Sequence, residues 1–183
     1  ISRLHKVFGE TLFMVKKKFP QLRAVVPTVD SVAGTVRKVT ADWPVPVVVV
    51  DGDKEKYDAF AASEAALAAS GTVALELAMA RTPAVIAYKT NFLTGLIARW
   101  MVKPRLANLI KLILDREAIP ELLQGACRAE FLAASMEDLL SDPERKEKQI
   151  SAYDEALNKL SPKGDSPAAR AAAVVHGIIT KAS

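Results

Sequence analysis

Short apolar runs bounded by Pro, Gly or Asp alternate along this chain with stretches whose apolar residues recur at helical spacing, and that alternation predicts repeated strand and helix units. The run VPVVVV over Val45–Val50 is the clearest strand. It is β-branched without polar alternation, as befits a strand covered on both faces of a parallel sheet. Arg23–Val29 (RAVVPTV), Ala65–Ala69 and Pro83–Tyr88 (PAVIAY) read as three more strands.

Helical patterns fill the intervals. His5–Phe19 sets Val7, Leu12, Val15 and Phe19 on one face and Lys16 to Lys18 outside. Asp30 or Ser31 caps a helix running to about Asp42, Asp51–Ala62 reads as a loop and short helix, and Thr72–Arg81 as a helix. Short helices follow over Pro120–Gln124 and Met136–Leu140, and a long one over Pro143–Leu160. SPKGDS at 161–166 breaks the chain before a last helix, Pro167 to about Thr180, capped by Ser166 with Pro at its first position. The order predicts an α/β fold, a Rossmann-like, doubly wound parallel sheet with right-handed crossovers and C-terminal helices. At 183 residues the expectation is one domain, an α/β body over 1–160 and a terminal helix over 161–183.

Charge changes the picture in one segment. Of a net charge of +4, Lys89–Arg116 carries six basic residues against Asp115 alone, a local +5 that leaves −1 elsewhere. The same segment is rich in Phe92, Leu96, Ile97, Trp100 and Met101 beside Arg99, Lys103 and Arg105. That makeup suits a helix lying in an anionic membrane interface, and equally a core-facing helix with a solvated cationic side. A nucleic-acid surface would spread its charge further and interleave more exposed aromatics. No apolar run reaches the roughly 20 residues of a membrane span, and no signal peptide is visible.

The single cysteine, Cys127, excludes a disulfide framework and a cysteine-based zinc site and points to a reducing compartment. His5 and His176 stand at opposite ends of the chain without partners at metal spacing, so they read as surface residues and no metal or cofactor is expected. The chain begins at Ile1 rather than methionine, which suggests a piece of something longer.

Candidate chemistry centres on ASGTVALELAMARTP, Ala69 to Pro83. Ser70, Gly71 and Thr72 lie where a strand hands over to a helix. There they form either an ordinary Ser/Thr cap with a turn glycine or an anion site of backbone N–H groups and hydroxyls. Glu76 stands four residues after Thr72, on the same helical face, among Leu75, Leu77, Ala78 and Met79. A carboxylate there needs water or a bonding partner, and sugar hydroxyls beside a diphosphate would supply one.

These residues, with others in order, resemble the lipid-A-disaccharide synthase family. SGTVALE at 70–76, Pro83, Ala87-Tyr88-Lys89, Asn108 and IPELLQ at 119–124 carry the resemblance, joined by Ser2-Arg3. The chain departs from the family pattern at Ile1, where glycine is usual, and at Lys6, where an acidic residue is usual. The resemblance covers essentially the whole chain and implies the C-terminal, UDP-sugar-binding half of a GT-B glycosyltransferase. Such an enzyme transfers 2,3-diacylglucosamine from its UDP donor to lipid X with inversion, forming a β-1,6-linked disaccharide at the cytoplasmic face of the inner membrane. By position, Ser2 and Arg3 would meet the diphosphate with Ser70, Gly71 and Thr72, and Glu76 would hold the ribose. Asn108, Glu121 and Gln124 would line the cleft near the donor sugar. On residues alone, Glu121 and Gln124 read equally as a short exposed helix, and Arg3 as a frayed terminus.

The resemblance leaves the general base to the family's amino-terminal half and implies no cofactor. It accounts for Phe92, Leu96, Arg99, Trp100, Lys103 and Arg105 as contacts of a peripheral enzyme with an anionic membrane. Homo-oligomerisation stays open, and nucleic acid is not an expected partner. Two other readings stand beside this one: a GT-B half for another UDP-sugar, as in an epimerase or an N-acetylglucosaminyl transferase, and a non-catalytic membrane-binding α/β module.

Overall fold

Three prolines each sit one residue before a strand and give their carbonyl oxygens to a neighbouring strand. Ala24 N–H donates to Pro46 O at 2.9 Å, Ala66 N–H to Pro83 O at 2.8 Å and Ile86 N–H to Pro120 O at 2.8 Å. Proline lacks a donor but loses nothing as an acceptor, so it opens a strand without breaking the ladder. The computed structural model describes residues 4–69, 72–89, 108–161, 168, 169 and 171–174.

Five parallel strands follow: β1 (Ala24–Thr28), β2 (Val47–Asp51), β3 (Ala66–Ala68), β4 (Ala84–Tyr88) and β5 (Glu121–Leu123). The helices are α1 (His5–Lys18), α2 (Asp30–Thr40), α3 (Asp53–Ala62), α4 (Val73–Met79), α5 (Leu109–Leu114), α6 (Ala129–Ser141) and α7 (Pro143–Leu160). Strand and helix alternate as the hydrophobic pattern predicts.

The strands form two ladders, β1-β2 and β3-β4-β5, rather than one continuous sheet. Ala24 N–H points to β2, so by alternation the backbone nitrogens of Val25 and Pro27 face the opposite edge. On that edge Pro27 has no N–H to give, and the ladder stops there. β2 is correspondingly less covered than its sequence predicts, with Val48 60% exposed.

β4 is the centre of the molecule. Ala84, Val85, Ile86 and Ala87 are fully buried, and their period-two alternation serves two cores. Ala84 and Ile86 face Ala74, Leu77 and Ala78 of α4, Ile110 and Leu114 of α5 and Tyr153 of α7. Val85 and Ala87 face Val15 of α1 and Leu132, Met136 and Leu139 of α6. Helices on both sides of a parallel strand give the doubly wound, Rossmann-like arrangement.

Two expected elements differ. Pro120–Gln124 is not a helix: Glu121, Leu122 and Leu123 pair in register with Ile86, Ala87 and Tyr88, followed by a 3₁₀ turn over Gln124–Ala126. Pro120 therefore behaves like Pro46 and Pro83, opening a strand instead of a helix. The helix expected over Met136–Leu140 begins earlier, at Ala129, because Ala129, Leu132 and Ala133 are buried on the same face as Met136. α7 starts as expected, with Asp142 Oδ1 accepting from the N–H groups of Glu144 and Arg145 and Pro143 in the first turn.

Candidate functional site

Ligands of open parallel sheets bind beyond the carboxyl ends of the strands. At the end of β3 the chain passes from Ala68 toward Thr72, the N-cap residue of α4. Thr72 is exposed and its side chain makes no capping hydrogen bond to the helix. The simple cap reading therefore does not hold for this hydroxyl.

One turn along α4, Glu76 is held by a side chain from another helix. Lys56 of α3 donates to Glu76 Oε1 at 3.1 Å. The Lys56 ammonium also lies 3.4 Å from Asp53 Oδ1 and 4.7 Å from the centroid of the Tyr57 ring. The bond to Glu76 holds the Lys56 amine above its ordinary value. α3 leaves β2 through Gly52, whose φ of 104° suits glycine, and Lys56 N–H closes the first turn on Gly52 O. From that turn Lys56 reaches Glu76 of α4.

A second group gathers around β5 and α5. Asn108 is 1% exposed and caps α5, its Oδ1 accepting from Ile110 N–H at 2.8 Å. Glu121 Oε2 lies 3.5 Å from Lys111 Nζ, which also donates to Glu117 Oε1 at 2.7 Å. Asn108 Nδ2 and Glu121 Oε1 are buried without a hydrogen-bond partner among the described residues. Burial pushes the Glu121 carboxyl above its ordinary value, Lys111 opposes this, and the proximity of Asn108 lowers it a little. The Lys111 amine is raised, chiefly by its bond to Glu117.

Gln124 follows β5 directly, exposed and with φ of 51°. Arg81 and Asp115 share this left-handed backbone, but they close helices α4 and α5, where it is common. Gln124 adopts it at a strand end, where the cost marks a constrained turn. Beneath this end of β4, burial pushes the Cys127 thiol above its ordinary value, with the Lys89 charge and the Tyr88 backbone opposing it.

α4, which carries Glu76, and α5, which Asn108 caps, pack against each other. Ser2, Arg3, Ser70, Gly71, Phe92, Leu96, Arg99, Trp100, Lys103 and Arg105 lie outside the described residues.

A family model described as Lipid-A-disaccharide synthetase matches residues 1–175. The chain belongs to this family. It is 45% identical over 181 residues to the lipid-A-disaccharide synthase of Rhodospirillum centenum, covering 99% of this chain and 45% of that protein. To the enzyme of that name from Paramagnetospirillum magneticum it is 47% identical over 180 residues, 97% of this chain and 46% of the other. A probable mitochondrial lipid-A-disaccharide synthase of Arabidopsis thaliana is 35% identical over 166 residues, 88% of this chain and 36% of that protein. The chain thus spans less than half the length of these relatives.

In this member of the lipid-A-disaccharide synthase family, Lys56 and Lys111 bond to the candidate residues Glu76 and Glu121, and Glu117 bonds to Lys111. Lys111 bonds to Glu117 and Glu121, six and ten residues on, beyond the three- and four-residue spacing by which a helix pairs side chains. Lys56 comes from a charged run, DKEKYD, that carries no local signal of a partner 20 residues on. Open grooves elsewhere are lined by His5, Gly9, Phe13 and Trp43, or by Arg37, Thr40, Val45 and Val47, and contain none of the candidate residues. Among the described residues there is no group of three or more His, Cys, Asp or Glu arranged to hold a metal. No described helix is long and apolar enough to cross a membrane.

Proposed function

We infer that the chain is the donor-binding half of an inverting glycosyltransferase of lipid A assembly. It takes a UDP-linked 2,3-diacylglucosamine, whose sugar passes to lipid X to make a β-1,6-linked disaccharide. The observation that carries this reading is the placement of Glu76 one turn beyond the uncapped hydroxyl of Thr72, at the carboxyl end of β3. Thr72, with Ser70 and Gly71, would present donors to the diphosphate, aided by Ser2 and Arg3, while the Glu76 carboxylate accepts from ribose hydroxyls. Asn108, Glu121 and Gln124 would face the donor sugar. The charge that grows on the leaving diphosphate as the glycosidic bond breaks is what such donors stabilise. The base that takes the acceptor proton would come from the family's amino-terminal half.

Calorimetric titration of UDP into this chain and its Glu76→Ala variant tests the reading. Binding weakened by about 1–3 kcal/mol, the scale of a lost charged hydrogen bond, supports it. Equal affinity in both proteins overturns the assignment of Glu76.

The same reading makes Phe92, Leu96, Arg99, Trp100, Lys103 and Arg105 the contact with an anionic membrane surface, since donor and acceptor both carry acyl chains. Changing Arg99, Lys103 and Arg105 to Glu should abolish co-sedimentation with anionic liposomes. Unchanged sedimentation would remove this surface from the account.

A further inference from the structure

A carboxylate that must recognise a diol needs a fixed direction, and Glu76 has only its own flexible side chain unless something restrains it. Lys56 supplies the restraint from a separate helix. Its ammonium engages Oε1 at 3.1 Å, whereas Oε2 makes no hydrogen bond among the described residues. The lysine is itself held: Asp53 Oδ1 stands 3.4 Å away and the Tyr57 ring lies under it at 4.7 Å. The side chains of Lys56 and Glu76 are 23% and 29% exposed, so the pair borders solvent without lying free on the surface.

We propose that Lys56 is a positioning residue for Glu76, fixing one carboxylate oxygen so that the other is presented to the hydroxyls of a nucleotide ribose. The proposal rests on the reading of Glu76 given above. Freezing the carboxylate before the ligand arrives removes part of the ordering cost that binding otherwise meets. An ordinary surface ion pair would contribute little to stability and nothing to discrimination between sugars. An ammonium that met the diphosphate directly would strengthen every nucleotide equally.

These alternatives separate when UDP and 2′-deoxy-UDP are titrated into the 183-residue chain and its Glu76→Gln, Lys56→Met and Lys56→Arg variants. The unaltered chain should prefer UDP by about tenfold, the scale of a hydrogen bond to a charged group. Glu76→Gln should bring the ratio close to one. Lys56→Met should at least halve the ratio while leaving 2′-deoxy-UDP affinity within about twofold, and Lys56→Arg, which retains the charge and donors, should restore most of it. If Glu76→Gln erases the preference and Lys56→Met leaves it intact, the positioning role is overturned and the ribose reading survives. If Lys56→Met weakens both nucleotides equally, the ammonium acts on the diphosphate and the proposal is likewise overturned. A preference untouched by Glu76→Gln removes the ribose reading, and the proposal with it.

Discussion

Gln149 of α7 completes the hydrogen bonding of Ala84 at the start of β4. Its Oε1 accepts from Ala84 N–H at 2.5 Å and its Nε2 donates to Ala84 O at 3.0 Å. Ile86 bonds toward β5, so by alternation Ala84 faces the same way, yet β5 begins only opposite Ile86. The amide of Gln149 stands where the missing strand would be, and the buried Tyr153 hydroxyl donates to its oxygen at 3.2 Å.

Gln149→Leu should therefore leave two fully buried backbone groups unpaired and cost about 3 kcal/mol. Urea unfolding measures it. Tyr153→Phe, which removes one hydrogen bond and keeps the ring, should cost about 1 kcal/mol. If Gln149→Leu proved as mild as Tyr153→Phe, the amide would not be replacing a strand.

The buried Glu121 carboxyl makes a distinct prediction for pH. Its value is raised by burial, so from the ordinary carboxylate value up to the raised one the folded chain holds more protons than the unfolded chain. Stability then falls as pH rises through that window. Glu117, lowered by Lys111, works in the opposite sense, but its side chain is 80% exposed and its share is small. Melting curves between about pH 4 and pH 8 should show this decline flattened in Glu121→Gln. In Lys111→Met, which strips Glu121 of its counter-charge, the decline should reach to higher pH.

Much of this architecture is legible in the hydrophobic pattern, and the exceptions have physical causes. β2 and β4 announce themselves as β-branched or small apolar runs behind a proline. β5 does not, because three residues carry too little period and Pro120 can open a helix as readily as a strand. Pro27 in β1 was a readable sign of a ladder edge, whereas the early start of α6 was hidden by a cap position, Arg128, that lacks a capping side chain bond. Thr72 and Glu76 were legible as one helical face. Lys56 and Lys111 were not, since their partners are set by how helices and strands come together, and local spacing is silent on that.

Cys127 should behave as an inert thiol. It is 1% exposed, and burial raises its value despite the opposing charge of Lys89. With one cysteine in the chain, a thiol reagent reports on this position alone. Dithiobisnitrobenzoate at neutral pH should label the folded chain at least about a hundredfold more slowly than the guanidinium-unfolded chain. Comparable rates would mean that the carboxyl end of β4 opens readily.

Gly9 on α1 sets two effects against each other. Replacing an interior helical glycine with alanine normally gains about 1 kcal/mol. Here an added Cβ would meet Trp43 Cδ1 at 2.9 Å and Nε1 at 3.1 Å, closer than the indole can tolerate in place. The ring is tethered by its N–H, which donates to His5 O at 3.1 Å, so moving it breaks a bond that joins the two ends of this packing unit. Overpacking of this kind costs about 1–3 kcal/mol, which outweighs the helix gain. Gly9→Ala should thus destabilise the chain in urea and shift Trp43 fluorescence. In a Trp43→Leu background the obstacle is gone, and the same substitution should turn stabilising by about 1 kcal/mol. A double-mutant cycle with no sign change would show that α1 yields to the added methyl rather than the indole.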